Sequence, residues 1–139
     1  MKTKYSQLVK IKKQKVDSIE NIIAVLNRYK DMLTNDIESL VKEIKSLEIP
    51  KEGSFKKYLS NNYKFDTLMT AKREKEILLE QKNREIKQAQ QEHKEALIEY
   101  EKIKYLEDII IQEKIKKMHK EEEKMLDEVS IMTYKRRHT

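Results

Sequence analysis

A chain of 139 residues has the length of one domain, but 40% charged side chains, 37% hydrophobic ones, no Trp and two Phe do not make a globular core. That balance belongs to long helices and coiled coils. The absence of Cys excludes disulfides, Cys-ligated zinc and thiol nucleophiles, and a single Gly leaves no glycine-rich phosphate loop. The formal net charge of +6 suits an anionic partner, whether nucleic acid, lipid or an acidic protein surface.

In chain order, the N-terminus carries six Lys before any acid (Lys2, Lys4, Lys10, Lys12, Lys13 and Lys15) and no apolar signal region. A first helix is expected over about 3–48, free of Gly and Pro. Its heptad places Val9, Val16, Ile23, Lys30, Ile37 and Ile44 at a, and Tyr5, Lys12, Ile19, Leu26, Leu33, Leu40 and Leu47 at d. β-Branched residues at a with Leu at d suit a two-stranded coiled coil, in which Lys12 and Lys30 lower stability but help to choose the partner strand. Ile49 before Pro50 ends the helix. Lys51, Glu52 and Gly53 turn the chain, and Ser54 is a suitable N-cap for a second helix.

The second helix is expected over about 54–135 and opens on Phe55, Tyr58, Leu59, Tyr63 and Phe65. These side chains either plug the closed end of a hairpin or form an exposed recognition patch. The expected seam is Tyr58, Asn62, Phe65, Met69, Lys72, Glu76, Leu79, Asn83, Ile86, Gln90, His93, Leu97 and Tyr100. A turn-centred register brings Lys30 near Glu76. At about 1.5 Å per residue the first helix is the shorter by roughly 50 Å, and Tyr5 then reaches about as far as Leu97 or Tyr100. The remaining C-terminal residues overhang. They carry their own apolar stripe of Ile111, Ile115, Met118, Met125, Val129 and Met132, followed by Lys135, Arg136 and Arg137. An uncovered stripe rich in adaptable Met asks for a partner.

The expected fold is therefore all-α: a single long antiparallel two-helix coiled coil, or helical hairpin, with an overhanging C-terminal helix. Such a rod offers no dry pocket for acid–base chemistry. His93, His119 and His138 are isolated, and His119 with Glu122 and Glu123 lacks a second His at the zinc-protease spacing. No catalytic, metal or cofactor site is expected, and the chain is not expected to be an enzyme. Phe55-Lys56-Lys57-Tyr58 is able to stack bases, but no nucleic-acid module surrounds it. The longest apolar run, Ile109-Ile110-Ile111, is far short of a membrane span, so the expected location is the cytoplasm.

The C-terminal element Lys124, Leu126, Asp127 and Glu128, followed by Lys135, Arg136 and Arg137, resembles the end of FliJ chains of bacterial flagellar type III export. So does the opening Leu-Val-Lys-Ile-Lys-Lys at 8–13. The resemblance implies a non-enzymatic, stalk-like adaptor that couples the export ATPase hexamer to the membrane export gate and interacts with export chaperones. It implies a place in the cytoplasm, peripheral to the inner face of the membrane through those partners. On that reading Ile111, Ile115, Met118, Met125, Val129, Met132, Lys135, Arg136 and Arg137 face the ATPase, and Phe55, Tyr58, Leu59 and Tyr63 face the gate. The alternatives are an injectisome-type stalk protein and a generic homodimerising coiled-coil tether.

Overall fold

The computed structural model describes residues 1–47 and 55–138. Ile49, Pro50, Gly53 and the Ser54 cap fall outside the described residues. Two helices account for nearly all the rest, α1 (Ser6–Ser46) and α2 (Phe55–His138), with no strand among the described residues. The all-helical expectation holds. Helix α1 opens three residues later than its sequence suggests because Thr3 and Ser6 engage their own backbone. Thr3 N–H donates to Ser6 Oγ (2.8 Å), Tyr5 N–H donates to Thr3 Oγ1 (3.1 Å), and Ser6 N–H donates to the Thr3 carbonyl (3.1 Å). Such side-chain bonds compete with helix and favour its first turn as a cap.

The chain forms two compact units, one of Asp17–Lys94 and one of Met1–Val16 with Glu95–Thr139. In the unit of Asp17–Lys94 the two helices run antiparallel. Lys75 Nζ lies 3.3 Å from Asp36 Oδ2, Lys82 Nζ sits 5.0 Å from the centre of the Tyr29 ring, and His93 Nε2 lies 3.0 Å from Glu20 Oε1. Tyr29 and Asp36 are seven residues apart, and so are Lys82 and Lys75 in the opposite sense, so one register serves both contacts. Ile19, Leu33, Ile86 and Ala89 are buried here, Leu33 completely at 0% exposure.

In the other unit the same antiparallel sense appears. Thr3 Oγ1 donates to Glu107 Oε2 (3.2 Å), and Lys13 Nζ sits 5.6 Å from the centre of the Tyr100 ring. Val16, at 1% exposure, and Ala96 form its buried apolar centre. Glu107 is buried too, and its carboxylate is satisfied by Thr3 and by Lys104 at 3.6 Å. A buried carboxylate without such partners would be strongly destabilising.

All thirteen seam positions expected on α1, Lys12 and Lys30 included, are half-buried or buried. On α2 the seam differs from expectation. Burial recurs at Leu68, Lys72, Lys75, Leu79, Lys82, Ile86, Ala89, His93, Ala96, Tyr100, Ile103, Glu107 and Ile110. Lys72, Leu79, Ile86, His93 and Tyr100 are shared with the expected seam, whereas Glu76, Asn83 and Gln90 are exposed and their predecessors occupy the contact. Tyr58, Asn62 and Phe65 are exposed as well. The physical reason is that Ala89 and Ala96 let the helices approach closely, while Lys75 and Lys82 bury their stems and hold their charged heads at the edge.

The register is also corrected. Lys30 follows Tyr29 and so lies beside Lys82, about 9 Å of helix away from Glu76. Glu76 pairs instead with Lys72 on its own helix at 3.2 Å. At the other end of α1, Thr3 reaches Glu107, so Tyr5 lies further along α2 than Leu97 or Tyr100.

Candidate partner-binding surfaces

The seam repeat of α2, continued past Ile110, falls on Lys114, Lys117, Glu121, Lys124 and Glu128. These are charged residues that cannot continue an apolar contact. The apolar stripe stands one residue later at each step, with Ile111 after Ile110, Ile115 after Lys114, Met118 after Lys117, Met125 after Lys124 and Val129 after Glu128. One residue is about 100° of helical turn, so the stripe occupies a different face from the seam. Ile111, at the seam's edge, is half-buried. Ile115, Met118, Met125, Val129 and Met132 are exposed, Met125 at 65%, and every side chain over 112–137 is exposed. The spacing brings Arg136 onto the stripe's face, while Lys135 and Arg137 fall to either side of it.

Leu126, Ile131 and Tyr134 are exposed apolar residues in the same stretch that lie off the stripe. Sequence reasoning passed over them because their spacing fits no single face. It also missed a second apolar strip on α1, where Ile22, Val25 and Met32 are exposed beside the seam. Its signal, spacings of three and seven residues, lay under the stronger heptad.

At the beginning of α2 the four aromatics are not plugged into a core. Phe55 is 74% exposed and Tyr63 is 75% exposed, and Tyr58, Leu59 and Phe65 are exposed as well. The register of the Asp36–Lys75 contact carries Leu47 to about Lys64, so 55–63 lie past Leu47, the last residue described after α1. Tyr63 borders an open groove with Glu43, Ser46 and Leu47 on one side and Lys64, Thr67 and Leu68 on the other. Phe55, Tyr58, Leu59 and Tyr63 spread over an arc of about 140° on the helix, directed away from the seam line through Leu68, Lys72 and Lys75.

Charged side chains between these surfaces are largely engaged with one another along α2, as in Lys82 with Glu85 at 3.1 Å and Arg84 with Glu80 at 3.3 Å. Such pairs belong to a solvated helix face and contribute little to stability. Among the described residues, the grooves at the start of α2 are open to solvent and bring no set of polar groups together. What the start and the end of α2 both offer chemically is exposed apolar area on a helix, which suits protein contact.

The model of one protein family, described as Flagellar FliJ protein, matches residues 1–139. The chain belongs to the FliJ family. It is thereby a flagellar export-related component, of a family that is non-catalytic. No curated protein and no solved structure matches the sequence. No helix among the described residues is long and apolar enough to cross a membrane.

Proposed function

We propose that this FliJ-family chain is a non-enzymatic, stalk-like adaptor of flagellar export that couples the export ATPase to the export gate and interacts with export chaperones. In this reading its paired helices form an antiparallel coiled coil, and α2 continues beyond α1 as a single overhanging helix. The observation that carries the proposal is the change of phase at Ile110. Beyond it the seam positions become charged, while a separate stripe of Ile, Met and Val stays exposed over 115–132. A segment that has stopped contacting its own chain, yet keeps an apolar face, is built for another protein.

The stripe with Lys135, Arg136 and Arg137 is the ATPase side. Phe55, Tyr58, Leu59 and Tyr63 are the gate side, since exposed aromatics are favoured anchors at interfaces. The two surfaces lie near opposite ends of α2, as a coupling element requires. The protein would work in the cytoplasm and reach the membrane's inner face only through its partners.

Replacing Met118, Met125 and Val129 together with Ser tests the ATPase side. Binding to the ATPase hexamer should be lost while far-UV helicity stays close to normal. Undiminished binding by the triple variant would remove the stripe from the ATPase contact. Tyr58→Ala with Tyr63→Ala should weaken gate binding and motility and spare the ATPase interaction. Normal gate binding by that folded variant would move the second contact elsewhere.

A further inference from the structure

We infer that the C-terminal stripe also pairs with its counterpart in a second copy of this chain, antiparallel, about a twofold axis at residue 120. After Glu113, Lys114, Lys116, Lys117 and Lys120 make a basic block, and Glu121, Glu122, Glu123, Asp127 and Glu128, interrupted by Lys124, make an acidic block that follows it directly. Two copies laid antiparallel across the boundary between the blocks set each basic block against the other's acidic one. That is the self-complementarity an isologous dimer needs.

The apolar stripe independently selects the same axis. Centred at residue 120, Ile111 of one copy meets Val129 of the second, and Ile115 meets Met125 of the second, each twice by symmetry. Met118 meets Glu122, the one gap in the stripe, whose aliphatic stem packs and whose carboxylate reaches water. The charged residues bordering the stripe on one side are Lys114, Glu121 and Glu128. In this register Lys114 of each copy lies between Glu121 and Glu128 of the other, in the flanking positions that set partner and orientation in coiled coils. The one repulsive element is Glu121 facing its own symmetry mate. Shifting the axis to place Ile115 against Met132 instead brings Lys114 against Lys135 and Glu121 against Glu128, which are like charges.

Among the described residues nothing in the chain's own packing stands in the way. The stripe is turned about 100° from the seam that α1 covers, and all side chains over 112–137 are exposed. Among the described residues Lys114, Glu121 and Glu128 form no ion pair that would have to be broken. Where the stripe is also the ATPase face, which is the reading proposed above, self-pairing and ATPase binding exclude each other, and the dimer keeps the stripe covered until the ATPase displaces it.

The chain has no Cys of its own, which gives a clean background for cross-linking. Full-length protein carrying Ile115→Cys and Met125→Cys should oxidise to a dimer held by two disulfides. The two positions are about 15 Å apart on one helix and cannot bridge within a chain. A control with Met118→Cys and Val129→Cys, which tests the shifted register, should cross-link at least tenfold less. In sedimentation equilibrium the unmodified chain should show a monomer–dimer equilibrium. Lys114→Glu should raise the dissociation constant at least tenfold, and adding Glu121→Lys and Glu128→Lys should restore it.

A monomer at every concentration, equal cross-linking in the control, or a charge swap that fails to rescue would overturn the inference. The ATPase reading fails separately. If the dimer forms as described but the triple Ser variant still binds the ATPase, the dimer stands and the ATPase face lies elsewhere. If the chain stays monomeric and the triple Ser variant loses the ATPase, the reverse holds.

Discussion

The two parts of α2 before and after Ile110 carry apolar side chains at nearly the same three- and four-residue spacing, yet one is buried and the other is not. The first has the poorer sequence: five of its thirteen seam positions are Lys, His or Glu. Its polar residues are used, as Lys75 pairs with Asp36, Lys82 caps Tyr29, His93 meets Glu20 and Glu107 accepts from Thr3. The second part has the cleaner stripe and no cover. The comparison teaches that apolar content does not decide burial along a helix of this kind. The presence of a partner helix alongside does: Thr3 lies at the level of Glu107, so α1 ends short of 112–137, whereas polar seam residues are tolerated wherever α1 or a flanking group receives them.

That comparison can be broken most sharply at Leu33 and Met125. Leu33→Ala should cost about 3 kcal/mol in urea unfolding, because a fully enclosed side chain leaves a cavity. Met125→Ala on the exposed stripe should change stability by less than about 0.5 kcal/mol under dilute conditions. Similar losses at the two sites would mean that the stripe has an intramolecular cover after all.

A smaller effect sharpens the role of polar seam residues. Lys30 and Lys82 lie beside each other, both half-buried, so Lys30→Leu should raise stability by about 1 kcal/mol through added apolar burial and relieved repulsion. A fall in the melting temperature would show that Lys30 is well paired where it stands. The smallest effect concerns the edge contacts. Asp36→Ala should cost no more than about 0.5 kcal/mol and should lose most of that cost in high salt, since its pair with Lys75 is largely solvated.

The legibility of the chain followed the same division. Helix α1 was readable position by position because all of its seam but Tyr5, Lys12 and Lys30 is Val, Ile and Leu, whose shape and hydrophobicity mark a contact without help. Helix α2 was readable at every other seam position. Lys75, Lys82, Ala89 and Ala96 look like surface residues in a sequence, and only the presence of α1 turns them inward. The register was displaced because it was centred on Pro50 and Gly53, whereas the Asp36–Lys75 and Tyr29–Lys82 contacts centre it a few residues later, at the first residues of α2. The C-terminal stripe was legible as a stripe. That it lies on a different face from the seam emerged only once the seam's true phase was known.

The central claim is that 112–137 present an exposed face reserved for a partner, while the stretch from Leu68 to Ile110 is committed to α1. Amide hydrogen exchange on the full chain at submicromolar concentration, with and without the export ATPase, tests it directly. Without the ATPase, amides over 112–137 should exchange much faster than those over 68–110, and adding the ATPase should slow the former selectively. Equal protection of both stretches in the free chain, or no change over 112–137 on adding the ATPase, would contradict the account.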